Sequence, residues 1–275
     1  MLSFYFNERH GSEFKLFFKS LSRPVLPELR KRELTVPGKS GVYSFKSKAH
    51  EKRIVSGQIQ YVGSNLSDLR VWARSIAQWL YTEDYARLIF DDEPDKYYMA
   101  KVYSEVPLES LYSLGSANIV FECQPYAQYV LGSADELTWD TLLNWNSEYL
   151  WTGSENYRLG VTSSPAPLTV NNPGTREIGI GSPQGSRFKV IITGSFTNFT
   201  VSMNGKSLSY NEPLAAETLE IDNINCTVKA GVNKLSVCSG DLDSFLTLKP
   251  GMNTMIFAGA GLNCSVIIDF IPQFI

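Results

Sequence analysis

The chain has 275 residues, 43% of them apolar and 19% charged, with a net charge of −3. That length suggests two domains, each with its own core, and the composition is that of a strand-rich globular protein rather than a disordered or fibrous one. Residues 1–130 hold 17 Lys and Arg against 15 Asp and Glu, and the remainder 8 against 13, so neither half carries the basic excess that binding nucleic acid requires.

No stretch approaches the roughly 18 apolar residues of a membrane span. Met1–Glu8 lacks the basic and apolar regions of a signal peptide, so the protein is expected to fold where it is made. Phe14-Lys15-Leu16-Phe17-Phe18 reads as a strand. Arg23-Pro24-Val25-Leu26-Pro27 follows as a stiff extended arm, because each proline fixes φ and disfavours helix before it. Such an arm can lie on its own domain or reach across to a neighbour. Arg32–Val36, the turn Pro37-Gly38-Lys39-Ser40-Gly41 and Val42–Phe45 read as a hairpin or short connection. Lys46–Arg53 is basic and reads as a solvated loop.

Val55, Gly57, Ile59 and Tyr61 share one face of the next strand. Asn65 or Ser67 is placed to cap a helix in which Leu66, Leu69, Trp72, Ala73, Ile76, Trp79 and Leu80 form one apolar stripe. The two indoles read as anchors against a sheet. Leu88-Ile89-Phe90 then runs into Asp91, Asp92, Glu93 and Asp95, with Pro94 closing the run and Tyr97–Tyr103 leaving as a second strand. Ala117, Ile119 and Phe121 share a face of a last strand that leads into Cys123-Gln124-Pro125-Tyr126. Residues 1–130 are therefore expected to be an α+β domain, with β-sandwich-like sheets and one packed helix.

Residues 131–167 form an aromatic-rich linker or insertion. From Leu168, strands are expected at Arg187–Ile192, Asn198–Met203, Thr218–Ile221, Cys226–Val228, Lys234–Val237, Asn253–Phe257 and Asn263–Ile268, and Asn204-Gly205 is a strong hairpin signal. Residues 168–275 are expected to be an all-β sandwich of the jelly-roll type. Cys226 and Cys238 could face each other across two late strands, but the four cysteines read as buried free thiols.

No P-loop, serine-hydrolase elbow or zincin pattern is present. Gly179-Ile180-Gly181 is followed by Ser182-Pro183, and a proline there blocks the helix a dinucleotide motif must open. Asp91, Asp92, Glu93 and Asp95 lack the glycine of an EF-hand loop, and no metal or cofactor is assigned, with a loose Ca²⁺ or Mn²⁺ site from these four residues as the alternative. The acids of the late half lie beside turns and all five tryptophans precede residue 152, which argues against a glycosidase pair. Trp145, Tyr149, Trp151 and Tyr157 are candidate sugar contacts, and packing at the domain junction is the alternative role for them.

The order and spacing of several segments resemble a known family. Arg23-Pro24, Val36-Pro37-Gly38 with Gly41, the helix ending at Trp79-Leu80, Leu88–Tyr98 and Cys123-Gln124-Pro125-Tyr126 resemble the N-terminal domain of phage distal tail proteins. Leu219–Asn223, Leu246–Asn253 and Ile271–Phe274 resemble that family's C-terminal galectin-like jelly roll. Gln124 stands where the family often has Asp or Pro, and residues 131–167 match nothing in it.

The resemblance implies a non-enzymatic virion protein, a homo-hexameric ring at the tail tip that is assembled in the bacterial host cytoplasm. Its partners would be the major tail tube protein, the tail-associated hub protein and the receptor-binding or baseplate proteins, with no membrane and no sequence-specific nucleic acid. A closed ring needs one patch to meet a different patch on its neighbour. Arg23, Pro24 and Pro27 of the arm and Asp91, Asp92, Glu93 and Asp95 of the acidic turn are the expected interface residues. The competing expectation is a carbohydrate-binding module on a virion or cell surface, acting through the C-terminal jelly roll.

Overall fold

The computed structural model describes residues 2–45, 49–61, 74–103, 116–130 and 157–275. Two compact units divide the chain, Met1–Val130 with Ile275, and Leu131–Phe274.

The first unit is built from β1 (Phe4–Phe6), β2 (Arg9–His10), β3 (Leu16–Ser22), the small pair β4 (Arg32–Leu34) and β5 (Tyr43–Phe45), β6 (Arg53–Tyr61), β7 (Ala86–Phe90), β8 (Glu93–Val102), β9 (Ser116–Cys123) and β10 (Ala127–Tyr129). Seven of these run in the order β2-β1-β7-β8-β9-β6-β3. Every described pairing along that path is antiparallel. Phe18 N donates to Leu2 O at 3.0 Å and Ser3 Oγ to Leu16 O at 3.0 Å. These contacts bring β3 back to the chain entering β1, so the sheet curls almost to closure. One curled sheet therefore replaces the expected sandwich-like layers. Inside it lie Phe4, Phe6, Leu16, Val55, Ile59, Leu88, Ile119 and Phe121, each fully buried.

Strand alternation is obeyed closely. Arg53, Val55, Gly57, Ile59 and Tyr61 are buried along β6 while Ile54 and Gln60 are exposed; Ala117, Ile119, Phe121 and Cys123 are buried along β9. Gly57 is required by a neighbour, since a Cβ there would stand closer than 3.0 Å to the Phe18 ring. The strand expected over Phe14–Phe18 starts later. Gly11–Phe14 is a single 3-10 turn instead, closed by reciprocal bonds between His10 and Glu13, and Lys15 then takes a left-handed φ of 56°. Only residues 74–80 of the expected helix lie among the described residues, and they are helical; Leu66, Leu69, Trp72, Ala73 and both candidate caps lie outside. Ile76, Trp79 and Leu80 are buried, as the apolar stripe requires.

The second unit contains β11 (Arg158–Val161), β12 (Ala166–Asn172), β13 (Phe188–Phe196), β14 (Asn198–Met203), β15 (Lys206–Tyr210), β16 (Leu214–Asp222), β17 (Thr227–Ala230), β18 (Val232–Asn233), β19 (Cys238–Ser239), β20 (Gly251–Ala260) and β21 (Asn263–Phe270). They form a six-stranded sheet, β11-β21-β13-β16-β17-β18, and a five-stranded one, β12-β20-β14-β15-β19. Side chains from both sheets share one apolar core that includes Val161, Val190, Ile192, Val201, Phe257, Val266 and Phe270.

Strands already appear at Arg158 and Ala166, so paired structure begins before Leu168. Asn204-Gly205 is the hairpin turn between β14 and β15, with φ of 52° and 83°, the two positive values that such a turn demands. Lys234–Val237 is not a strand; Leu235–Val237 forms a 3-10 turn. All four cysteines are free. Cys226 sits in a turn at a φ of 52°, before β17 begins, rather than in a strand facing Cys238. The chain is mostly β throughout its described length.

Candidate functional site

Between β3 and β6 the chain leaves the curled sheet and returns. Arg30 N donates to Ala49 O at 2.9 Å and Glu51 N to Glu28 O at 2.7 Å. Further out β4 pairs with β5, Arg32 opposite Phe45, Glu33 opposite Ser44 and Leu34 opposite Tyr43. The result is a two-stranded ribbon that ends in the turn at Pro37–Gly41. The hairpin expected from the sequence is therefore real, but it is longer than a simple connection.

Successive residues of a strand alternate between faces. One face of the ribbon carries Arg32, Leu34, Tyr43 and Phe45, and the other Glu33 and Ser44. Leu34 is 52% exposed, Tyr43 48% and Phe45 57%. A two-stranded ribbon is marginal in water by itself, and this one carries three large, half-exposed apolar side chains on one face. At its root the arm adds Val25, 87% exposed, and Leu26, 65% exposed, whereas Pro27 between arm and ribbon is buried.

The two groups of residues singled out from sequence meet at this root. The acidic turn is tighter than expected. Asp91 and Asp92 alone form it, with Phe90 opposite Glu93, and Pro94 lies inside β8 rather than ending the run. A proline there is tolerated because it falls at the beginning of the strand. Asp92 accepts from Arg23 Nη1 at 3.0 and 3.1 Å, and Glu93 accepts from Arg23 Nη2. The Arg23 guanidinium also lies over the Phe90 ring, 4.5 Å from its centroid. Burial pulls the Arg23 pKa down, but Glu93, Tyr98 and Asp92 outweigh it and hold the group above its ordinary value.

Asp91 turns the other way. It accepts from Ser3 N at 2.6 Å and meets His10 Nε2 at 2.9 Å. Lys96 stands 3.6 Å from Glu93 and 3.9 Å from Asp95. The carboxylates thus meet partners of their own chain, His10 at Asp91, Arg23 at Asp92 and Glu93, and Lys96 at Glu93 and Asp95, in one surface network. Pro24 is half-buried beside it, and its carbonyl oxygen accepts from Arg53 Nη1 at 3.2 Å.

Arg53 is the residue the sequence reading passed over, because it closes a basic run. It is 4% exposed. Its other bonds go to Tyr98 Oη at 3.3 Å and Pro125 O at 3.1 Å. A usable signal was present: Arg53 is the first member of the alternating set continued by Val55, Gly57 and Ile59, which puts it on the inward face.

Tyr157 lies in the core of the second unit, 2% exposed, its hydroxyl donating to Asn171 O at 2.9 Å and accepting from Asn171 N at 3.2 Å. Its ring packs 5.6 Å from that of Phe270. That burial leaves no ring face for a sugar, so its place among the candidate sugar contacts is corrected. Trp145, Tyr149 and Trp151 lie outside the described residues. Trp79 is stacked between Phe4 and Phe14, centroids 5.3 and 4.7 Å away, which fixes it as an anchor.

Comparison with known proteins bears on the same region. Residues 10–123, which contain the ribbon and its root, match the family model described as phage tail protein RIFT-related domain. Over its whole length the chain is similar in structure to SPP1 Dit (gp 19.1), described as a paradigm of the hub adsorption apparatus in phages that infect Gram-positive bacteria. The TM-score is 0.68 and the identity 13%, with all of both chains covered. A chain of the phage P2 baseplate in its activated conformation with Ca aligns at a TM-score of 0.46 and 10% identity, covering 95% of this chain and 99% of that one. No curated protein matches the sequence.

Proposed function

We propose, from the match of residues 10–123 to the phage tail RIFT-related domain model, that the chain is a structural component of the virion, the distal tail or hub protein of a phage tail tip. Six copies close into a ring whose first units dock on the tail tube. The ring then joins the tube to the hub protein and to the receptor-binding or baseplate proteins. Assembly takes place in the host cytoplasm, and the chain acts by fitting against other proteins, with no bond made or broken. We read the two facing sheets of the second unit as the jelly-roll, galectin-like domain of that arrangement.

The observation that carries this reading is the ribbon. A surface of Leu34, Tyr43 and Phe45 at about half exposure, on a hairpin standing away from its own core, supports an intermolecular contact. It is different in kind from the curled sheet it leaves, as a head-to-tail ring requires. The network of Arg23 with Asp92 and Glu93 supports the same contact by holding the arm at the base of the ribbon. Mass measurement in solution, with negative-stain imaging of the assembled particle, tests the ring. A hexameric mass with a central hole is the expected result. A chain that stays monomeric both free and in the presence of tube protein would overturn it.

A further inference from the structure

Arg23 ends the strand-to-arm transition and Arg53 begins the returning strand, so the two mark where the ribbon departs and where it comes back. Both guanidinium groups lie against one ring, that of Tyr98. Arg23 Cζ is 5.9 Å from its centroid and Arg53 Cζ 5.3 Å. Register explains the meeting. Arg53 is opposite Cys123 on β9, Cys123 is opposite Ala100 on β8, and Tyr98 is two residues from Ala100 on the same face.

Arg53 is also unusual energetically. It is buried, no carboxylate pairs with it among the described residues, and its Nε has no partner. Its bonds go to two carbonyls and a phenol, and the carbonyls belong to separate segments, Pro24 of the arm and Pro125 beyond β9. A buried cation held by neutral oxygens is a poor contributor to stability compared with an apolar side chain of the same volume. What it does offer is geometry, because one planar group ties three stretches of chain in a fixed relation.

We propose that Arg23 and Arg53, stacked on Tyr98, form a clamp that sets the direction in which the ribbon leaves the domain. They are positioning residues: the clamp touches no partner itself, but it presents Leu34, Tyr43 and Phe45 in one orientation, so ordering the ribbon is not charged to the docking step. The effect on assembly rests on the ring reading, whereas the fixed direction does not.

The test separates the two. Spin labels at Ser40→Cys, in the ribbon turn, and Asn118→Cys, on the exposed face of β9, are placed in a Cys226→Ser, Cys238→Ser background, and their distance distribution is measured. The expected result is a narrow distribution in the otherwise unaltered chain. Arg23→Gln with Arg53→Gln should make it about twofold broader, with the unfolding of the curled sheet still cooperative. Should that pair fail to fold, Arg23→Gln with Arg53→Met removes both guanidinium groups while an apolar side chain fills the buried volume, and reads the same distance. A broad distribution at the outset, or a narrow one that survives these substitutions, overturns the clamp.

Assembly is read in parallel. Clamp variants should need about tenfold more protein to form rings, while Leu34→Asp with Tyr43→Asp should abolish them. Loss of rings in the second case alone counts against the clamp and leaves the ring reading standing. Rings unaffected by either overturn the ribbon as the ring contact.

Discussion

The indole N–H of Trp79 donates to the carbonyl oxygen of Phe6 at 2.6 Å, joining the helical segment 74–80 to the first strand of the curled sheet. With Phe4 and Phe14 stacked on its two faces, Trp79 is held by shape and by one buried hydrogen bond together. Trp79→Phe keeps most of the packing but removes this hydrogen bond, at an expected cost of about 1–2 kcal/mol. Trp79→Ala adds a cavity and should cost about 3–5 kcal/mol. Urea unfolding of the full chain, followed by tryptophan-independent far-UV signal, distinguishes the two. Equal losses would show that packing contributes nothing beyond the hydrogen bond.

Gly57 lies opposite Ser20 on one side and Ile119 on the other, and the Phe18 ring fills the space its missing side chain leaves. Gly57→Ala should therefore destabilise the first unit by about 1–3 kcal/mol through overpacking, although alanine has the better intrinsic preference for a regular strand. The partner is identified by rescue. Phe18→Leu in the same chain should recover part of the loss, a coupling of about 1 kcal/mol that a double-mutant cycle measures. Independent, additive effects would mean that the ring can move aside without cost.

Asp222 closes the β16–β17 turn. Its carboxylate accepts from Ile224 N at 2.9 Å, Asn225 N at 3.0 Å and Asn225 Nδ2 at 2.8 Å. Burial alone would raise its pKa, but these bonds to Asn225 and Ile224 outweigh it and hold the group below its ordinary value. A carboxylate depressed in the folded state contributes stability that is fully present above the unfolded pKa of about 4 and is lost as pH falls through the folded value. Asp222→Ala should cost about 2 kcal/mol near neutral pH. The difference from the unaltered chain should shrink steadily as pH is lowered below about 4. A difference independent of pH would mean that the turn is held without the charge.

How far these features could be read in advance depends on the range over which each is determined. Alternation along β6 and β9 and the Asn204-Gly205 turn are fixed by residues a few positions apart and were legible; the inward face of Trp79 was legible from Ile76 and Leu80, but its partners Phe4, Phe6 and Phe14 were not. The 3-10 turn at Gly11–Phe14 was hidden because its signal, the His10–Glu13 pair, directly precedes the aromatic run Phe14–Phe18 that favours a strand, and the turn takes in Phe14. At the candidate site, sequence supplied both halves, the arm and the acidic turn. It did not supply their contact, because Arg23 and Asp92 are brought together only when β3, β7 and β8 take their places in one curled sheet. Arg53 was concealed differently, as an inward-facing position at the end of a basic run.

The ribbon offers the clearest separation of stability from assembly. Leu34, Tyr43 and Phe45 stand, about half exposed, on a pair of strands outside the curled sheet, so replacing them removes far less buried area than a core substitution would. Surface substitutions of that kind change unfolding free energy by about 0.5 kcal/mol or less. Leu34→Asp with Tyr43→Asp is expected to leave the unfolding midpoint in place and to prevent ring formation, because two desolvated carboxylates would have to enter the contact. Phe45→Ala, which deletes one apolar side chain and introduces no charge, should weaken assembly by a smaller factor. Sedimentation velocity over a concentration series, with thermal unfolding on the same samples, reads both quantities. If the midpoint falls while assembly persists, those side chains pack against their own domain and the covering surface lies elsewhere.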